Sequence, residues 1–290
     1  MTTFRAVRAA LGPLLLLLVA ACADTGSGGA SATSTGEAYA PDELVLRVSY
    51  TGGLATPAML AGRLPILSVY GDGRAIAQGP QVLSYPPPAL PNILVRRIGP
   101  EGVRKLVERA RAAGVGGPAV DYGQPNVADA AATRFTVGAD SVEVYALTEA
   151  QEPVAGLTEA QLRAREKLID LLTALTDLPA TLGAEVAGDE QPYEATVVAA
   201  IASPGSPEPT DQDVAARAAE LDWPGPALPG EKIGPDTGCV TATGAQATAV
   251  LAAAAKASAA TPWRSGGNTW TVALRPLLPD ETGCADLTRG

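Results

Sequence analysis

Three cysteines, four lysines and no histidine bound the chemistry open to this chain. Without histidine, the Ser-His-Asp, Cys-His and histidine-liganded metal arrangements are all excluded. A Ser-Lys pair would need Lys105, Lys167, Lys232 or Lys256. Lys105 and Lys167 fall on charged faces of amphipathic segments, and none of the four has a catalytic serine context. The 31 acids could supply the two carboxylates of a glycoside hydrolase, but no spacing among them singles out a pair. There is no phosphate-binding P-loop and no dinucleotide fingerprint, so no cofactor is expected. Tyr70-Gly71-Asp72-Gly73-Arg74 lacks the repeated Asp/Asn of a calcium loop, and Asp-Gly reads instead as a tight hairpin turn. No catalytic or metal-binding residue is therefore assigned.

The cysteines do carry chemistry. Arg5 and Arg8 precede an apolar run, Leu11 to Val19, broken only by Gly12 and Pro13, and then Ala20, Ala21 and Cys22. A charged start, a short apolar region and small residues are the layout of a secretory signal. The uninterrupted apolar stretch from Leu14 to Ala23 is ten residues, against about 20 for a membrane-spanning helix. Two alternatives stand beside this layout: an uncleaved anchor, and a plain secretory signal cut before Ala23. Val19-Ala20-Ala21-Cys22 resembles the lipobox of bacterial lipoproteins. That resemblance implies a diacylglyceryl group on Cys22, with a further N-acyl chain in some bacteria, and a location at the extracytoplasmic face of the cell membrane. Export leaves Cys239 and Cys284 as an even pair in an oxidising compartment, and they are expected to form a disulfide.

Removing residues 1–21, which hold Arg5 and Arg8 and no acid, takes the net charge from −10 to −12. Such a surface repels nucleic acid and anionic headgroups, so any hold on the membrane falls to the lipid. Residues 22–41 are small and polar and form a flexible tether. It spans about 20–25 Å r.m.s. and stands the body off the membrane. The body, residues 42–290, has possible sub-units at 42–125, 126–202 and 203–290. Its aromatic content of 4% leaves a core built mainly of Leu, Val and Ile.

Alternation predicts a strand from Leu44, a hairpin over Pro65–Gln78, a strand over Ile93–Ile98 and a hairpin over Thr133–Leu147. Gly99-Pro100-Glu101 opens a helix that Gly114 ends. Thr158 with Gln161 makes a capping box before a helix whose buried stripe is Leu168, Leu171, Leu172 and Leu175. Two successive hairpin-then-helix units also suggest a repeat. Further on, the pattern predicts a buried strand over Glu194–Ile201, broken by Ser203–Pro209, and a short helix over Thr210–Leu221. A capped helix follows from Thr243 and Gln246, then a last strand through Trp270, Val272 and Leu274. The fold class is α+β, antiparallel hairpins with helices packed on one face.

Three aromatic residues mark a possible binding surface: Trp263, Trp270 and Tyr85. The tryptophans flank a Gly-Gly turn. Exposed, they would form a platform for a sugar or protein; buried, they cap the core, which the phase of Trp270 with Val272 and Leu274 favours. Tyr85 opens a proline-rich run to Pro91, expected to be extended polyproline II, either a partner ligand or a stiff connector. The body resembles uncharacterised actinobacterial lipoproteins, a likeness that implies no activity. The leading expectation is a non-enzymatic, membrane-tethered envelope protein that binds a protein or glycan partner. The alternatives are a small-ligand receptor serving a transporter and a carboxylate-based hydrolase of wall glycan.

Overall fold

A computed structural model describes residues 39–150, 156–205 and 219–288. The expected signal segment, Cys22 and almost all of the tether lie outside these residues, as does most of the helix expected over Thr210–Leu221. The described chain is α+β with two sheets.

The first sheet is antiparallel. It contains β1 (Leu44–Gly52), β2 (Leu67–Tyr70), β3 (Arg74–Gln78), β4 (Ile93–Ile98), β5 (Ala131–Val137), β6 (Asp140–Tyr145) and β7 (Val186–Pro192), in the order β6-β5-β1-β2-β3-β4-β7. The β2–β3 turn needs glycine: Gly73 has φ +80°, and a Cβ there would lie 2.1 Å from the carbonyl oxygen of Ile98. β1 lies between β2 and β5, so the two predicted hairpins share one sheet. The expected boundary at 125/126 therefore falls inside a single layer. Two helices cover one face, α2 (Pro100–Ala113) and α3 (Glu159–Thr176). Their Leu106, Ala110, Leu168, Leu171 and Leu175 pack with Val45, Val48, Phe135 and Val144 of the strands. The capping box at Thr158 and Gln161 is formed in both directions. A short helix, α4 (Leu178–Leu182), joins α3 to β7.

Arg165 fixes α3 from within. It is 1% exposed and donates to the carbonyls of Tyr122, Tyr145 and Ala146. Burial pushes its pKa down, against the opposing charge of Glu149.

The second sheet holds β8 (Val197–Pro204), β9 (Leu221–Asp222), β10 (Glu231–Gly234), β11 (Thr237–Thr243), β12 (Pro262–Ser265) and β13 (Asn268–Pro276), in the order β10-β11-β8-β13-β12-β9. Only β9 runs parallel to its neighbour β12. The expected strand at 194–201 is shifted, and it runs through Pro204. At Pro204 only β13 pairs with it, because the β11 ladder stops at Ala202, so no bond is lost on the open side. Leu221, the last residue of the expected helix, is in strand β9.

β8 is buried on both faces. Val198, Ala200 and Ala202 meet α5 (Gly244–Ala254), while Ala199 and Ile201 meet α1 (Pro57–Gly62) and the disulfide. Thr243 is the N-cap of α5, but its side chain makes no capping bond, so the expected capping box is absent there. Cys239 in β11 is bonded to Cys284, the first residue of α6 (Cys284–Leu287), with Cα atoms 5.9 Å apart.

Candidate functional site

A groove of about 1050 Å³ opens on the described chain. Four parts of the fold build it. The outer side of α3 supplies Ile169, Leu172, Thr173 and Thr176, and β13 supplies Thr271 to Leu274. Pro87 to Pro91 form a third wall. That segment is docked on the body by a bridge between Pro88 and Ser258, with Ala89 N–H donating to Ala257 O and Ala259 N–H to Pro87 O.

The fourth wall is α1 with the turn after it: Ala58, Met59, Gly62, Arg63, Leu64 and Pro65. Six residues are too few for a helix to persist alone, so its ends are held. Thr56 accepts from the Met59 N–H, Pro57 occupies the first turn, and Arg63 N–H closes on Leu60 O. Thr56-Pro57 was the sequence signal for this helix, a cap residue followed by proline. It went unread because no apolar period follows it.

No carboxylate lines the groove, and Arg63 is its one charged lining residue. The Arg63 guanidinium donates to Gly52 O at 3.1 Å and meets no carboxylate among the described residues. Tyr50, Arg63, Leu64 and Pro65 also line a second hollow of about 610 Å³ on the other side of this turn. Ser49, Thr51, Arg134, Thr136 and Thr288 stand on its walls. Its other arginines are committed: Arg47 to Asp280 at 2.7 Å, Arg134 to Glu143 at 2.6 Å and Arg275 to Glu281 at 2.8 Å. Its acids are committed too. Glu281 holds Arg275 and the Leu278 N–H, and Asp286 accepts from Thr282 and Gly283. Among the described residues no group of His, Cys, Asp and Glu is placed to hold a metal ion.

The three aromatic candidates are not brought together. Trp263 is fully buried, edge to face against Trp223 with ring centroids 5.4 Å apart, so it offers no ligand surface. Trp270 faces it across the β12–β13 ladder and is half-buried, its indole N–H bonded to Ser265 O. Positive φ at Gly266 and Gly267 makes the tight turn that sets this register. Tyr85 is 71% exposed and does not line the groove. The Tyr85–Pro86 peptide bond at the start of its proline-rich run is cis. Its neighbours Val82 and Leu83 are also exposed, and Gln81 beside them is on the groove wall.

The chain matches no protein-family model, no curated protein and no solved structure.

Proposed function

We propose that this is an envelope protein tethered through a lipid on Cys22, which binds a ligand rather than transforming one, and that the groove is its binding site. The observation that carries the reading is the groove itself: about 1050 Å³, with walls of Ile, Leu, Met, Ala and Pro and no acid. Ligand sites occupy about 300–1,000 Å³ and are mainly apolar with a few placed polar groups. Thr148, Thr173, Thr176, Gln78 and Gln81 are such groups here. No carboxylate stands on the groove wall itself, which supports binding over catalysis. The lipobox-like run before Cys22 supports the tether, and the Cys239–Cys284 bond fits an oxidising compartment.

Native mass spectrometry of the protein extracted gently from its own membranes tests the binding. A reproducible added mass, lost on filling the groove with Ala273→Trp, is expected. A bare lipidated monomer would overturn it. Cys22→Ala tests the tether: release from membranes or failure of processing is expected, and unchanged retention with normal mass would overturn it.

A further inference from the structure

The groove and the second hollow meet at one cation. Tyr50, Arg63, Leu64 and Pro65 belong to both; Ile169, Leu172 and the Pro87–Pro91 wall line the groove, while Ser49, Thr51 and Thr136 stand on the second hollow's side. We infer that the two together form one site for a long-chain carboxylate, its alkyl chain along the groove and its head on Arg63. This rests on the groove being the binding site and names its ligand.

Charge decides the head group. Arg47, Arg134 and Arg275 each hold an acid of the chain, whereas the guanidinium of Arg63 has a carbonyl as its partner among the described residues. A guanidinium presents a planar fork that accepts one carboxylate through two parallel hydrogen bonds. One available arginine matches one singly charged head. A neutral ligand would leave that cation without a counter-charge. No acid stands on the groove wall, and the two acids of the second hollow, Glu281 and Asp286, already accept from Arg275, Leu278, Thr282 and Gly283.

The approach to the groove agrees. From Ala75 to Val95 the chain carries no charged residue, although 18% of the whole chain is charged. This stretch supplies Gln81 and the Pro87–Pro91 wall, and it leaves Val82 61% and Leu83 fully exposed beside them. An alkyl chain passing over this lip meets no charge, so it does not have to cross a hydrated ion pair to reach the wall formed by Ile169 and Leu172.

The test uses the full chain held in phosphatidylcholine vesicles. The probe is hexadecanoic acid carrying a photoactivatable diazirine in its chain, and the matching hexadecanol is the neutral control. After irradiation, labelled peptides are mapped by mass spectrometry. Label is expected on the peptides spanning Met59–Ile66 and Ile169–Thr176. Arg63→Gln should cut labelling by the acid about tenfold while leaving labelling by the alcohol unchanged, and the latter also reports that the variant is folded. Ala273→Trp should remove both labels. Equal acid labelling in Arg63→Gln and the parent overturns the carboxylate assignment while leaving the groove as a binding site. Labels that persist in Ala273→Trp overturn the site itself, and the proposed function with it.

Discussion

The guanidinium of Arg47 in β1 holds the carboxylate of Asp280 at 2.7 Å, across a sequence separation of 233 residues. The same Asp280 oxygen accepts the Tyr70 hydroxyl at 2.6 Å, and Arg47 Nε donates to Ser68 Oγ at 2.9 Å. The next residue, Glu281, holds Arg275 of β13, and Cys284 is bonded to β11. One short C-terminal segment thus fastens the first sheet to the second. Burial acts to lower the pKa of Arg47, but the charge and hydrogen bond of Asp280 outweigh it and the net shift is upward.

Asp280→Ala leaves Arg47 and Tyr70 facing each other without their acceptor. Breaking a fully buried pair costs about 3–5 kcal/mol. Here the partners are 19% and 22% exposed, and water can take part of the load. A loss of about 2–3 kcal/mol is expected. Urea titration should show a lower midpoint at unchanged slope.

Tyr70→Phe separates the hydrogen bond from the ion pair. At neutral pH it should cost about 1.5–3 kcal/mol, the range for a bond to a charged acceptor. Its clearer signature lies at high pH. Burial holds the Tyr70 phenol well above its ordinary pKa; Arg47 opposes this and Asp280 adds to it. The unfolded chain releases this proton near pH 10 while the folded chain keeps it. The stability Tyr70 contributes is therefore complete below about pH 10 and falls as pH rises, by about 1.4 kcal/mol per pH unit for one proton. Thermal melts from pH 9 to 11.5 should be shallower in pH for the Phe variant. Parallel curves would show that Tyr70 ionises freely.

The disulfide closes 45 residues of chain. In the loop-entropy account that is worth about 4 kcal/mol. Reduction, or Cys239→Ser with Cys284→Ser, should lower the urea midpoint accordingly. Thiol titration of the denatured, unreduced full chain should find none where Cys22 is lipidated and one where it is not. Two thiols in the lipidated chain, or three in the unlipidated one, would remove the bridge.

Trp263→Ala opens a cavity at the Trp223 edge and should cost about 3–5 kcal/mol. A loss near zero by calorimetry, together with altered binding, would mean that Trp263 faces a ligand instead of the core.

Local elements were legible in the chain wherever one face alone is buried. The α3 helix reads from its Thr158–Gln161 cap and leucine stripe, and the β2–β3 hairpin from Asp72-Gly73, because period and turn chemistry are properties of neighbours in sequence. β7 was not legible: Val-Ala-Gly-Asp-Glu-Gln-Pro has no alternation, since the strand is an exposed edge that only its ladder with β4 holds in place. α1 was hidden for a similar reason, being six residues fixed by caps and by packing on β8.

The candidate site was almost wholly illegible. Met59, Arg63, Leu172, Pro88 and Ala273 come from distant stretches of sequence, and none carries a motif. Arg63 in particular looks like any surface cation. It is singled out only because the other arginines of its hollow have acids against them, a comparison that needs three-dimensional neighbours.

What the amino-acid sequence alone determined was the Cys239–Cys284 pairing, the exclusion of histidine chemistry and the α+β grammar of hairpins and capped helices. Each of these depends on composition or on residues a few positions apart. Tertiary structure decided the pairing of β1 with both hairpins in one sheet, the clamp from Asp280 back to Arg47, and the groove with Arg63 on its wall. A groove is the space left between packed elements, and its shape and charge depend on which distant side chains meet, which no local pattern encodes.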